Sequence, residues 1–241
     1  MRATSLFSVK RRAARIFGTG PVFFDMHVHS QYSSDSALSV KTIIRSYERH
    51  GILPLVCDHN SIAGSEHVYA ALRDCDPGIP QILAEEIMTG DGEIIGLFLT
   101  EPVLPFLSIE ETLDAIRDQG GISIVPHPFC SYRSSAINRS ALDRTISRID
   151  IVEGFNARVL TDAENILAQE YAARNNKPVS AGSDAHTFIE LSHDYVILEP
   201  FFSPADLLKA LRNARIRFRR MNPAIHYVTQ IVRFAREKGL V

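Results

Sequence analysis

Short apolar runs alternate with helix-periodic segments along nearly the whole 241-residue chain, and this alternation restricts the fold more than any other feature. Segments 22–24, 52–57, 81–84, 93–100, 122–125, 149–152, 178–181 and 195–198 have the length and apolar content of strands. Between them, 36–50, 65–74, 108–119, 140–148, 161–175, 203–213 and 223–238 carry helical spacing. Leu38, Ile43, Ile44 and Tyr47 share one face of the first helix, and Gly51 is placed to stop it. Ser108 and Glu111 form a capping box, and Ser203 precedes a proline at the first helical position. In the helix over 161–175, Ile166, Leu167 and Tyr171 are expected to face inward. Such alternation predicts a parallel sheet. The length suits a single-domain α/β fold of the TIM-like barrel kind, with an open doubly wound sheet as the alternative. The expected organisation is a basic extension over 1–20, one domain over 21–222, and a C-terminal helix over 223–241 that packs on or extends from it.

Composition excludes several classes. The net charge of −2 gives no global basic field for nucleic acid, and tight polynucleotide binding is not expected. No apolar run approaches the roughly 18 residues needed to cross a bilayer, so no membrane partner is expected. Three cysteines without a CxxC pair suit a reducing compartment, and a cytoplasmic location is expected. Cys57 and Cys130 read as small packing residues. Lys10, Arg11, Arg12 and Arg15 make the N-terminus basic; a surface helix or frayed arm is the plain reading, and contact with an anionic surface or nucleic acid the sharper one.

Five histidine- or acid-bearing stretches lie at or near strand ends: His27-Val28-His29, Asp58-His59-Asn60, Glu85-Glu86, Pro126-His127-Pro128 and Asp184-Ala185-His186. On an extended backbone, residues i and i+2 face the same way, so His27 and His29 can converge, as can Asp184 and His186. One such pair is weak evidence, but five converging stretches would build a multinuclear metal site. Glu86 can bridge two cations, which a neutral imidazole cannot do. Asp35 is either a ligand from a polar loop or an ordinary turn aspartate. Glu93 begins a strand and either ligates or is a solvated end residue. Asp58 faces away from His59 and suits the role of holding a ligand in place. His50, His67 and His226 read as helix-surface residues, while His193 lies nearer the mouth.

The order of these stretches resembles the PHP (polymerase and histidinol phosphatase) family. The resemblance rests on Asp25-Met26-His27-Val28-His29-Ser30, Tyr32-Ser33-Ser34-Asp35, Cys57-Asp58-His59-Asn60, Glu86-Ile87, Val125-Pro126-His127-Pro128 and Gly182-Ser183-Asp184-Ala185-His186. It implies a distorted (β/α)7 barrel binding two or three divalent ions. By position, it implies that His27, His29, Glu86 and Asp184 hold one ion, that Glu86, Glu93 and His127 hold a second, and that Asp35, His59 and His186 hold a third. Many relatives have histidine where this chain has Glu93. A carboxylate there favours the harder manganese or iron over zinc.

The activity so implied is hydrolysis of a phosphate monoester or nucleotide-type phosphoester through a metal-bridging hydroxide, carried by His27, His29, Glu86 and Asp184. Small phosphorylated substrates or nucleotides are the expected partners. Arg133 and Arg158 follow strand ends and can fork onto phosphate oxygens, with solvent-facing arginine the plain alternative. A nuclease and a non-catalytic, metal-stabilised accessory module are the rival readings. A carbon–nitrogen amidohydrolase would usually want a bridging lysine near mid-chain, and no lysine lies between Lys41 and Lys177.

Overall fold

A computed structural model describes residues 17–222 and 224–238. The basic cluster Lys10, Arg11, Arg12 and Arg15 lies outside the described residues. The chain begins with β1 (Val22–Val28), followed by α1 (Val40–His50) and β2 (Ile52–Val56). The helix starts later than its apolar spacing predicts, because Ser36 Oγ donates to His29 O (2.9 Å) and His186 O (3.2 Å) and ties the segment before Ser39 into a loop. Ser39 then caps α1 by accepting from Thr42 N, and Gly51 N–H closes the other end on Tyr47 O.

Next come β3 (Asp58–His59), α2 (Ala63–Cys75), β4 (Ala84–Thr89) and β5 (Gly92–Leu97). β4 and β5 form an antiparallel hairpin rather than parallel neighbours. The cause is the tight Gly90-Asp91 turn, where Thr89 Oγ1 donates to Gly92 O at 2.5 Å. Gly92 has φ +123°, a conformation that a side chain disfavours, and a Cβ there would lie 2.4 Å from Ile137 Cα. The chain continues through α3 (Ile109–Asp118), β6 (Ile122–Val125), α4 (Arg139–Thr145), β7 (Ile151–Asn156), α5 (Asp162–Arg174) and β8 (Val179–Gly182). It ends with β9 (Tyr195–Leu198), α6 (Pro204–Leu211), β10 (Arg215–Arg217) and α7 (Ile225–Glu237). Ser108 and Ser203 cap α3 and α6 as their sequences predict.

The strands pair as a four-stranded sheet, β10-β9-β1-β2, and a six-stranded sheet, β3-β4-β5-β6-β7-β8. Only Cys57 separates β2 from β3, and its N–H donates to Val28 O at 2.9 Å. β1 to β2, β3 to β4, β6 to β7 and β7 to β8 are parallel; β5, β9 and β10 run against their neighbours. The fold is therefore α/β with a curled, open sheet, and no continuous ladder closes a full (β/α)7 barrel among the described residues. The register gives the reason. Phe24, Phe23 and Val22 give one edge of β1 to β9, so only the end of β1 meets the chain after β8. There Asp184 N donates to His27 O (2.8 Å) and His29 N to Ala185 O (2.9 Å).

Two apolar clusters flank this sheet, one around Phe24, Met26, Leu55 and Tyr69, the other around Ile87, Leu113, Leu142 and Val152. Ile166 and Leu167 are half-exposed, contrary to the sequence pattern. The inward face of α5 is Asn165, Ala168, Tyr171 and Ala172. Asn165 takes an inward position because its Oδ1 accepts from Asn156 N at 3.0 Å, satisfying the end of β7. Among the described residues no helix is long and apolar enough to cross a membrane.

Candidate metal centre

The pleat of β1 puts His27 and His29 on one face and buries Val28 on the other. Their Nε2 atoms lie 3.0 Å apart. Asp184 Oδ1 stands 3.7 Å from the first and 3.5 Å from the second. Glu86, buried in β4, reaches all four neighbours: His27 Nε2 (3.6 Å), His29 Nε2 (3.3 Å), His59 Nδ1 (3.2 Å) and His127 Nε2 (3.2 Å). Glu93, opposite Met88 in the hairpin, comes within 3.8 Å of His127 Nε2 and 3.6 Å of His59 Nδ1. Asp35 Oδ2 lies 3.3 Å from His186 Nε2 and 3.6 Å from His59 Nε2. The nine residues singled out as ligands in the sequence thus meet in one cluster. Four overlapping groups within it have metal-binding spacing: His27, His29 and Asp184; His27, Glu86 and His127; His59, Glu86 and Glu93; and His29, His59 and His186. His127 and Asp184 hold positive φ angles of 27° and 52°. Such backbone strain in non-glycine residues persists only where the surroundings enforce it.

A layer of polar residues fixes these rings. Glu153 Oε1 accepts from His27 Nδ1 at 3.0 Å, which leaves Nε2 with its lone pair toward the cluster. The same carboxylate accepts His127 N at 2.6 Å and Asn156 Nδ2 at 3.0 Å. Ser33 Oγ donates to Asp58 Oδ1 (2.7 Å) and so presents a lone pair to His29 Nδ1 (3.0 Å). Asp58 points away from His59, as its position in the strand implies, and also binds Ser30 N and Oγ, both at 2.6 Å. Asp25 accepts from Ser183 N (2.9 Å) and Oγ (2.6 Å), holding the turn that presents Asp184. Glu190 takes His186 N at 3.0 Å and Thr187 N at 2.8 Å. Sequence reasoning missed Glu153, Glu190, Asp25 and Asn156. For Glu153 a signal exists: an acid directly after the apolar Ile151-Val152 pair is costly to bury unless it is bonded.

The electrostatics call for cations. Burial and the charge of Glu86 push the Glu93 carboxyl above its ordinary range. Burial also opposes ionisation of Asp184, but Arg133, His27 and Arg158 outweigh it and hold the carboxyl well below the usual value. Burial likewise disfavours the His59 imidazolium, yet Asp35 and Glu86 raise that group to about 9. Asp35 Oδ1, Glu86 Oε2, Glu93 Oε2 and Asp184 Oδ1 are buried without a hydrogen-bond partner among the described residues. Buried carboxylate oxygens without partners are expensive unless a cation meets them. The donors are imidazole nitrogens and carboxylate oxygens, a set suited to divalent manganese, iron or zinc. The residues present therefore fit a divalent metal site.

Two arginines stand at this cluster in different ways. Arg133 is 14% exposed and pairs through one guanidinium nitrogen with Asp184 Oδ2. Arg158 is buried and held on several sides: it contacts Asp184 O (3.3 Å), the His186 ring, Thr229 Oγ1 (2.7 Å) and, as an ion pair without a hydrogen bond, Glu190 Oε1 (3.5 Å). Thr229 and His226 lie on α7, so the C-terminal helix packs against the mouth. His226 is not the plain helix-surface residue that its sequence suggested, because its Nδ1 meets Tyr132 OH at 3.0 Å. His50, His67 and His193 are exposed, and His67 stacks on Tyr32 with ring centroids 5.1 Å apart.

Comparison with known proteins agrees with this geometry. A family model described as PHP-associated matches residues 162–216. An uncharacterized protein of Methanocaldococcus jannaschii is 35% identical over 176 residues, covering 71% of this chain and 68% of that protein. The chain belongs to the PHP domain family. Among solved structures, this PHP domain resembles a two-domain protein from Bacteroides vulgatus described as containing a predicted PHP-like metal-dependent phosphoesterase. That match has a TM-score of 0.65 at 17% identity and covers 88% of this chain and 70% of the other. A lesion-specific endonuclease Q from Pyrococcus furiosus matches with a TM-score of 0.54 at 17% identity, covering 84% of this chain and 60% of the other. At these identities the structural matches establish the shared fold.

Proposed function

We propose that this PHP domain is a metal-dependent phosphoric ester hydrolase acting on a phosphate monoester or a nucleotide-type phosphoester. One observation carries the reading: buried, partnerless carboxylate oxygens converge with imidazole nitrogens at the mouth of the sheet. His27, His29, Glu86 and Asp184 would hold one cation, Glu86, Glu93 and His127 a second, and Asp35, His59 and His186 a third. Bound cations supply an activated water and neutralise charge on the phosphoryl oxygens. The chain's own contribution is positional. Glu153 and the Ser33–Asp58 pair fix the tautomers of His27 and His29. Arg133, partly exposed beside Asp184, is placed to fork onto a substrate phosphate. Arg158, enclosed by Glu190, Thr229 and Asp184 O, orients His186 and anchors α7 instead of reaching for substrate.

The test is a screen of manganese-loaded protein for phosphate release from sugar phosphates and nucleotides and for strand cleavage of short oligonucleotides, with His127→Ala as the control. Release by the wild type and its loss in the variant are expected. Silence across the panel in protein shown to hold metal would reject the hydrolase in favour of a non-catalytic module.

A further inference from the structure

We propose that Arg215, Arg217 and Arg219 form a track for successive phosphates of a single nucleic-acid strand, leading to the mouth of the metal centre. The surface itself stands apart from the hydrolase assignment; only its use in delivering substrate rests on that reading.

The track is built by alternation. From Arg215 to Arg219 the residues are exposed and half-buried by turns. Ile216 packs against the main apolar cluster, and the Phe218 ring meets Phe155 with centroids 5.1 Å apart. These anchors hold the backbone so that the three arginines share the outer face. Arg219 N–H also bonds the Asp194 carboxylate, pinning the end of the run. None of the three guanidinium groups makes an ion pair with a described carboxylate, whereas neighbouring Arg220 is tied to Asp162 at 2.9 Å. Three positive charges in five residues, with only Arg219 close enough to a buried carboxylate, Asp194, to act on it, stand out in a chain of net charge −2.

Spacing and direction identify the partner. Alternate residues of a strand lie about 6.7 Å apart, a separation that the phosphates of an extended single strand can match. Among the described residues β10 is an edge strand, and Arg215, Arg217 and Arg219 are exposed. Guanidinium groups fork onto phosphate oxygens with two parallel hydrogen bonds. β10 runs antiparallel to β9, which lies between it and β1, and hence in the same direction as β1, toward the candidate metal centre. Its continuation ends with Met221 N–H on Ala157 O at 2.7 Å, one residue before Arg158. A strand lying on the arginines would thus be led to the cluster. The weak overall charge argued against tight polynucleotide binding, but it averages over a local run that the fold places on one line.

The experiment measures binding without turnover. Fluorescence anisotropy with a labelled oligothymidylate of about twelve nucleotides compares the wild type with R215Q/R217Q/R219Q across a range of salt. The triple variant should bind at least tenfold more weakly, and its log Kd against log salt slope should fall by about 2, the value for three lost single-strand phosphate contacts. Hydrolysis of a small phosphomonoester and metal content should be unchanged. A second variant, R45Q/R49Q/R73Q, removes the same charge from exposed positions on α1 and α2 and should bind like the wild type. The proposal is overturned if the wild type does not bind the oligonucleotide. Equal affinity and slope in the first variant, equal loss in the second, or preference for phosphatidylserine vesicles over the oligonucleotide would also overturn it. A protein that binds DNA through these arginines yet hydrolyses nothing would sink the hydrolase assignment and leave the track standing.

Discussion

Gly182 lies directly against His27: a Cβ on Gly182 would sit 2.3 Å from His27 Cβ and 2.9 Å from its backbone nitrogen. It would also press on Glu153 Oε1, the acceptor that fixes the His27 ring. β1 cannot retreat freely, because His27 O holds Asp184 N. Gly182→Ala is therefore expected to displace His27 and with it the cluster. The overpacking should cost about 1–3 kcal/mol of stability, measured by chemical denaturation, and elemental analysis should show reduced metal content. Full metal loading with unchanged stability would contradict this account.

Glu153 offers a milder perturbation. Glu153→Gln keeps the size of the side chain and removes the charge that holds His27 Nδ1–H, His127 N–H and Asn156 Nδ2 together. Residues that orient metal ligands typically contribute about 10–100-fold in metal affinity, and a loss of that size is expected in a manganese titration. The fold should survive, with the far-ultraviolet circular dichroism unchanged. A variant that binds manganese like the wild type would show that the ring needs no such support.

Most of the candidate ligands were legible in the sequence because they lie at or just beyond strand ends, where side-chain direction is fixed, whereas Asp35 comes from a loop and Glu86 from within β4. His27 and His29 follow from two-residue alternation alone, and Asp58 was correctly turned away from His59 by the same rule. The residues behind the ligands were not legible. Asn156 acts through the distant Asp184, and Glu190, although it closes a local turn on His186 and Thr187, meets its buried cation Arg158 from far along the chain. The same limit explains the sheet. Alternating elements predict parallel strands, but the Gly90-Asp91 turn reverses β5, and the pairing of β1 with β9 is a long-range choice. The arginines between 212 and 220 were not singled out in the sequence, and only the alternating burial of Ile216 and Phe218 shows which of them face out together.

Arg133 and Arg158 should separate in their phenotypes. Arg133→Ala removes a partly exposed guanidinium beside Asp184 and is expected to lower kcat/KM on a phosphomonoester at least tenfold, about 1.4 kcal/mol. With cations bound to offset the charge of Asp184, its thermal stability should fall less than that of Arg158→Ala. Arg158→Ala leaves the buried Glu190 carboxylate without its cation and frees Thr229 from the mouth. Breaking a buried pair in this way costs about 3–5 kcal/mol, so this variant should melt well below the wild type. A stable Arg158→Ala protein with a selective rise in KM would instead assign Arg158 to the substrate.

Asp194 sets a pH dependence away from the candidate metal ligands. It is fully buried, and burial pushes its carboxyl from 3.8 to about 7, against the opposing effects of the Arg219 backbone N–H and charge. The folded chain thus holds a proton that the unfolded chain releases. The sign follows from linkage: this contribution is complete below about pH 4 and is lost as pH rises through about 7. Asp194→Asn stays neutral throughout and keeps an oxygen to accept Arg219 N–H. The variant should therefore gain stability relative to the wild type across that interval, by about 1 kcal/mol for each pH unit crossed. Urea denaturation of both proteins at several pH values measures the difference. A constant difference from pH 4 to pH 8 would show that Asp194 ionises at its ordinary value and that the Arg219 contact, rather than burial, governs it.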